Sequence, residues 1–208
     1  MAVEMQDLEK AAERFNLLRH SFYQRWVAGE LTRHELNDYA GQYAHVVAGL
    51  PRWLEAAAAG DAGNRDRLRD HAAEEATHVA LWERFTLAVD PDREVVVDAP
   101  NRATAELIRR CDELADRGHG AAVAWSIEAQ SPAVSATKLE GLETHYGIGA
   151  SDGGEYFALH AHRDVDHAAE LEEVIAGSNQ VGAAAAVEAA LSGMWDLLTS
   201  VERPAKTV

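Results

Sequence analysis

Apolar residues along this chain recur with the 3.6-residue period of helices almost throughout. Leu8, Phe15, Leu18, Phe22 and Trp26 share one stripe, which predicts an amphipathic first helix over about 5–28, stopped by Gly29. Thr32 and Glu35 form a capping-box pattern opening a second helix, with Leu36, Tyr39, Tyr43, Val46 and Leu50 on its inner face. Pro51 is expected to kink that helix, which continues through Trp53 and Leu54 to Gly60. A third helix over about 64–89 turns Leu68, Trp82, Phe85 and Val89 inward and ends at Asp90-Pro91-Asp92. Val95-Val96-Val97 is the only strand-like stretch, too short and isolated for a sheet. A fourth helix follows Asp98-Ala99-Pro100 and ends near Gly118; a fifth covers 120–146, with a kink or restart at Ser131-Pro132 and a stop at Gly147. Asp152 and Glu155 are expected to cap a sixth helix reaching about 176. The seventh, about 180–202, carries Leu191, Met194, Trp195 and Leu198 inward. The pattern predicts an all-α protein, a single domain over residues 1–208 folded as one seven-helix bundle.

Composition agrees, since forty alanines and only five prolines favour helix. A chain of 208 residues is long enough to bury a self-sufficient core. Nineteen Lys and Arg against thirty-five Asp and Glu leave a net charge of −16, which disfavours nucleic-acid and anionic-membrane partners. The single cysteine, Cys111, excludes an intramolecular disulfide framework and fits a reducing compartment. The stretch MAVEMQDLEKAAERF has no apolar signal-peptide core, and the longest apolar run, Val181 to Val187, is too short to span a bilayer. The expectation is a soluble, cytoplasmic protein.

Polar residues interrupt the inward stripes at three places. His160, Asp164 and His167 are spaced i, i+4, i+7 on the sixth helix, between Tyr156 and Phe157 on one side and Leu171 and Val174 on the other. On the third helix, His78 shares a stripe with Glu75 and His71, and Glu74 also reaches it by i, i+4 spacing. Glu128 is the only charged residue between Gly120 and Gln130. Burying such groups is costly unless something pairs them, and a metal ion does so directly. A solvated face or a hydrogen-bonded polar network is the competing reading of each set. Pooled, Glu75, His78, Glu128, His160, Asp164 and His167 offer three imidazoles and three carboxylates, a mixture that suits iron or manganese better than structural zinc. Six ligands exceed the need of one catalytic ion with open positions, so two ions sharing a carboxylate are expected. His71 is read as a ligand, a partner of a ligand or a core histidine, with the last two preferred, so that the third-helix ligand is open between Glu74, Glu75 and His71.

The ordered pattern His78, Glu128, His160-x3-Asp164-x2-His167 resembles that of the heme-oxygenase-like, non-heme dimetal oxidases. Within them the chain is most similar to the CADD-like proteins, implicated in making 4-aminobenzoate. The matching stretches are His20-Ser-Phe-Tyr23-Gln-Arg-Trp26, Asp38-Tyr39-Ala, Leu50-Pro-Arg52, Glu128-Ala-Gln-Ser-Pro132, Lys138-Leu-Glu-Gly-Leu142 and Tyr146-Gly147. The resemblance covers about residues 14–172 and implies a heme-oxygenase-like helical fold, a homodimer, two iron ions (manganese being an alternative in one position) and dioxygen as co-substrate. It also implies that the substrate is either a small molecule or the protein's own tyrosine and lysine. Tyr23, with Tyr39 near it, would then supply the aromatic ring and Lys138 the nitrogen. The residues lend support: Lys138 is the only lysine away from the termini, in a chain with sixteen arginines and three lysines. Unlike arginine, lysine becomes a neutral amine when desolvated. One departure stands out, because His71 occupies the position where CADD-like proteins carry a Glu ligand. Glu75 is the expected substitute, an arrangement resembling that of fatty-acid-decarboxylating relatives; without Glu74 or Glu75 the site would keep one ion.

The same fold admits other functions. Thiamin-salvage (TenA-like) hydrolases use a cysteine and an aspartate, but Tyr43 stands at the aspartate position and Cys111 lies outside the expected context. Pyrroloquinoline-quinone-forming (PqqC-like) enzymes need an arginine-rich pocket, whereas the arginines here fall on outward positions. A dimetal oxidase acting on a fatty acid or amino acid, and a non-catalytic interaction module, complete the alternatives.

Overall fold

The computed structural model describes residues 5–94, 97–178 and 181–203. Nine α-helices follow in order: α1 (Met5–Arg14), α2 (Ser21–Val27), α3 (Arg33–Gly60), α4 (Arg65–Val89), α5 (Arg102–Leu114), α6 (Gly120–Glu128), α7 (Ser131–Gly141), α8 (Glu155–Ser178) and α9 (Ala183–Val201). The seven predicted rods are present, with the first divided into α1 and α2 and the fifth into α6 and α7. Among the described residues there is no strand; the Val95-Val96 part of the strand-like stretch lies outside them.

Local capping explains the divisions. Asn16 accepts from the Leu18 N–H at 3.2 Å and His20 Nδ1 from the Phe22 N–H at 3.0 Å, so two caps interrupt the first stripe. Gln130 braces that break, accepting from the Leu17 N–H at 2.8 Å. The Thr32–Glu35 capping box forms as expected, and α3 runs on through Pro51. The rod of α5 turns into α6 at Gly118, whose φ of 88° lies in the left-handed region. One expectation fails at α8, where Asp152 caps nothing and the Glu155 carboxylate instead accepts from the Gly153 N–H at 3.0 Å. Asp152 sits in the preceding turn, bonded by the Ser151 hydroxyl.

The buried apolar residues form one cluster reaching from Leu8 to Val201. The long helices α3 and α4 pack along each other, α7 lies against α8, and α6 runs through the middle against α3, α8 and α9. Every α6 residue from Gly120 to Ser126 is buried, as is Glu128 at its end. The small residues Ala121, Ala122 and Ala124 let neighbouring backbones approach. The approach is tightest at Gly120, where an added Cβ would stand 2.3 Å from the Trp53 carbonyl oxygen of α3.

That contact is with backbone, which has little room to yield. Gly120→Ala is therefore expected to destabilise the fold by about 1–3 kcal/mol despite alanine's better helix propensity, because α6 must shift away from α3. Thermal melting of the metal-free protein checks this, and an unchanged or raised Tm would show that the two helices separate freely.

Candidate metal centre

The three interrupted stripes meet at the centre of the bundle. Glu75 and His78 come from α4, Glu128 from the end of α6, and His160, Asp164 and His167 from α8, and all six are buried. One group, His71, Glu75, Glu128 and His167, brings one potential ligand atom from each residue within 4.8 Å of the others. Glu75, His78 and His160 form a second such group. Glu75 belongs to both groups and is the carboxylate common to them. The Glu75 oxygens stand 3.0 Å from His78 Nδ1, 3.4 Å from His167 Nδ1 and 3.7 Å from His160 Nε2.

The structure distinguishes the three third-helix candidates. Glu75 points inward, whereas the partly exposed Glu74 is engaged by Arg163 through two contacts of 2.6 Å. His71 proves more central than its sequence reading: it is buried, its Nε2 is 2.9 Å from Glu128 Oε1, and its ring lies 3.7 Å from that of His167. The i, i+4 spacing to Glu75 was visible in the sequence, but the partner 57 residues away was not. Asp164 lies beside the two groups rather than within either, its Oδ1 3.8 Å from His167 Nδ1.

Hydrogen bonding within the cluster leaves many buried atoms without a partner, among them His71 Nδ1, Glu75 Oε1, His78 Nδ1, Glu128 Oε2, His160 Nε2, Asp164 Oδ1 and both nitrogens of His167. Native interiors rarely leave such groups unpaired. The donors are imidazole nitrogens and carboxylate oxygens, as iron prefers, so the residues present fit an iron site. His160 is already oriented for it, because its Nδ1–H donates to the Tyr156 carbonyl at 2.6 Å and leaves Nε2 facing Glu75.

The electrostatics carry the same signature. Burial, reinforced by Asp164 and Glu75, pushes the Glu128 carboxyl well above the usual range. Burial also acts against ionised Glu75, but the imidazoles of His160, His167 and His78 outweigh it and hold that carboxyl far down. Burial, with His167 nearby, lowers His71 to about 4, so its imidazole is neutral at pH 7.

A second polar cluster adjoins the first. Lys138 on α7 is buried, with its Nζ 5.0–5.3 Å from the ring centres of Tyr23, Tyr39, Tyr43 and Phe157. It donates to the Tyr39 hydroxyl at 2.6 Å, and the Tyr23 hydroxyl lies 3.5 Å from that of Tyr39. Burial alone lowers the Lys138 amine to about 7 and, as the leading cause, raises the phenols of Tyr23, Tyr39 and Tyr43 above their ordinary range. Tyr43 was not singled out from the sequence as a site residue, yet it joins the clusters, feeling both Asp164 and Glu75. Its position one turn beyond Tyr39 was the available signal. A cavity of about 10 Å³ touches Tyr23, Tyr43, Ser131, Ser135, Lys138 and Tyr156. Cys111, in contrast, is buried elsewhere, and its thiol is pushed up to about 12 by burial, which leaves a cysteine-hydrolase reading without a nucleophile.

An all-helical bundle with imidazoles and carboxylates gathered at its centre is the architecture of heme-oxygenase-like proteins that hold metal without heme. A solved domain of unknown function with a heme oxygenase-like fold, from Shewanella denitrificans OS217, superposes with a TM-score of 0.81 over 96% of this chain and 92% of its own, at 19% identity. The iron-containing redox enzyme family matches residues 37–199, and the chain belongs to that family of oxidoreductases. The chain is also similar to several proteins named 4-aminobenzoate synthase. That of Chlamydia pneumoniae is 28% identical over 93% of this chain and 92% of its own length. That of Chlamydia trachomatis serovar D is 31% identical over 82% of this chain and 78% of its own.

Binding to the native state alone stabilises it, by about 2.7 kcal/mol when free ligand is a hundredfold above Kd. Anaerobic ferrous iron is therefore expected to raise Tm. Glu128→Gln removes a carboxyl that burial already keeps protonated, so the metal-free variant should melt no lower than the parent while losing most of the iron-induced rise. A metal-free variant melting far below the parent would assign Glu128 to packing instead.

Proposed function

We propose that this chain is an oxygen-dependent, non-heme dimetal oxidase that makes 4-aminobenzoate, with Tyr23 as the source of the ring and Lys138 as the source of the nitrogen. The observation that carries the reading is Lys138 itself, a buried amine enclosed by tyrosines and hydrogen-bonded to one of them. Glu75, His78, Glu128, His160, Asp164 and His167, together with His71, would hold two irons, or iron with manganese. Such a pair supplies, with dioxygen, the oxidising power that releasing a ring and an amine from a protein requires.

The rest falls to the chain's own side chains. Lys138, lowered to about 7 by burial, exposes the lone pair that nitrogen transfer needs in about half of the molecules at pH 7 and in more as pH rises. Tyr39 holds that amine at 2.6 Å and places it beside Tyr23, and so orients donor and ring before any chemistry. Trp82 and Tyr156 pack edge to face at 4.9 Å, and Tyr156 stacks on His160 at 3.9 Å, so an aromatic wall excludes water between the two clusters. The cavity beside Lys138 holds about one water. That space favours side chains already in place over an added fatty acid. The names borne by the relatives support the same product. In this reading the chain acts as a cytoplasmic homodimer without nucleic-acid or membrane partners. No helix among the described residues is long and apolar enough to cross a membrane.

Iron, a reductant and dioxygen, with no added substrate, are expected to release 4-aminobenzoate at no more than about one molecule per chain. Mass spectrometry of the spent protein should find residues 23 and 138 altered, and Tyr23→Phe and Lys138→Arg should abolish release. Many product molecules per chain from an added small substrate, with Tyr23 intact, would overturn the self-sacrificial reading in favour of an ordinary dimetal oxidase. Because protonation removes the Lys138 lone pair, the single-turnover rate is expected to fall as pH drops through about 7. A rate independent of pH over roughly one unit either side of that midpoint would argue against amine transfer from this lysine.

A further inference from the structure

Glu74 and Arg163 stand at the edge of the metal centre and have no part in the assignments above. Glu74 precedes Glu75 on α4 but turns away from the two convergent groups. Arg163 on α8 grips both its oxygens, Nε to Oε1 and Nη2 to Oε2, each at 2.6 Å. So held, Glu74 Oε2 lies 3.5 Å from His167 Nε2. The opposite nitrogen, His167 Nδ1, faces the interior, 3.4 Å from Glu75 Oε1 and 4.0 Å from Glu128 Oε1. His167 is thus suspended between the inner carboxylates and an ion pair at the protein's edge.

An imidazole ligand is aimed by the acceptor on its far nitrogen, which fixes the proton there and frees the near nitrogen. At His160 the Tyr156 carbonyl does this. At His167 the far nitrogen, Nε2, makes no full hydrogen bond, and the carboxylate that faces it, at 3.5 Å, is that of Glu74. We propose that Glu74, locked by Arg163, is a positioning residue that turns His167 Nδ1 toward the inner carboxylates and sets how firmly iron is retained there. The inference rests on the dimetal reading and adds a determinant of metal affinity. Other ion pairs also link α4 to α8, Arg84–Glu155 at 3.5 Å and Arg67–Glu173 at 2.9 Å, but no imidazole is paired with either in the structure. They supply the control for a merely structural bridge.

The test is chelator-driven release of ferrous iron from the anaerobically loaded full chain, alongside melting of the metal-free protein. Glu74→Gln is expected to weaken iron retention about 10–100-fold, the range typical of lost outer partners of metal-bound histidine. Arg163→Gln should weaken it less, since Glu74 keeps its charge while losing its anchor. Arg84→Gln should leave retention unchanged, and all three metal-free variants should melt alike. Glu74→Gln retaining iron as the parent does would overturn the positioning role while leaving the metal centre intact. Equal losses from Glu74→Gln and Arg84→Gln would overturn it too, by showing that any bridge between these helices suffices. A parent chain that takes up no iron would instead overturn the metal centre, and this inference with it.

Discussion

Four imidazoles and three carboxylates buried together between α4, α6 and α8 impose the constraint on which the rest of this fold depends. Each ionised group taken out of water needs a partner, and here the groups have mostly one another. Glu75 is held ionised by three imidazoles, whereas Glu128 nearby is pushed toward its neutral form by burial and by Asp164 and Glu75. The cluster therefore balances internally at the expense of many unpartnered atoms. A cation at its centre would reverse both features at once, ionising the carboxylates and occupying the free nitrogens. The scaffold answers to the same need. Small residues along α6 and the bare backbone of Gly120 let α6 sit deep in the bundle, which carries Glu128 to the point where α4 and α8 present their histidines.

The second polar cluster solves the opposite problem by opposite means. Around Lys138 the partners are phenol and phenyl rings, not carboxylates, so the amine is relieved of charge instead of having it matched. Phenol ionisation is suppressed by the same burial, which leaves Tyr39 and Tyr23 neutral beside an amine that sheds its proton far more readily than an exposed lysine. Tyr43, Trp82 and Tyr156 lie between the clusters, and Tyr156 touches the metal side through its stack on His160. The two regions are thus electrically distinct yet separated by only an aromatic layer.

Much of this was legible in the sequence wherever the signal was local. The helical periods, the Thr32–Glu35 box and the inward-facing His160, Asp164 and His167 all depend on residues within two turns of each other, and the structure keeps them. The division of the first rod is also local, but it is written in Asn16 and His20 acting through side-chain caps, which a hydrophobic stripe does not register. The Asp152 cap is absent because α8 begins only at Glu155, and the Gly154 N–H that such a cap would use is already bonded to the Gly149 carbonyl. His71 and Glu74 needed tertiary knowledge. Both share helical spacing with His78, and only the arrival of Glu128 beside one and Arg163 beside the other separates an inner role from an outer one. Tyr43 was likewise hidden, since an aromatic on a core stripe reads as packing until its neighbours are known.

The placement of Lys138 is costly to the fold. Lowering a lysine from 10.5 to about 7 by burial costs the folded state on the order of 4 kcal/mol at pH 7, a large share of a typical domain's stability. The sign follows from proton binding. Between pH 7 and 10.5 the unfolded chain holds the proton and the folded chain largely does not, so the penalty eases as pH rises through that window. A carboxylate within reach would have offset part of the cost, and a methionine or leucine would have filled the same space without it. Neither is what this core contains. Arginines are held by carboxylates on the surface, as at Arg109 and Glu106. The single lysine of the described interior is placed where it can shed its proton, a placement that stability does not explain and amine chemistry does.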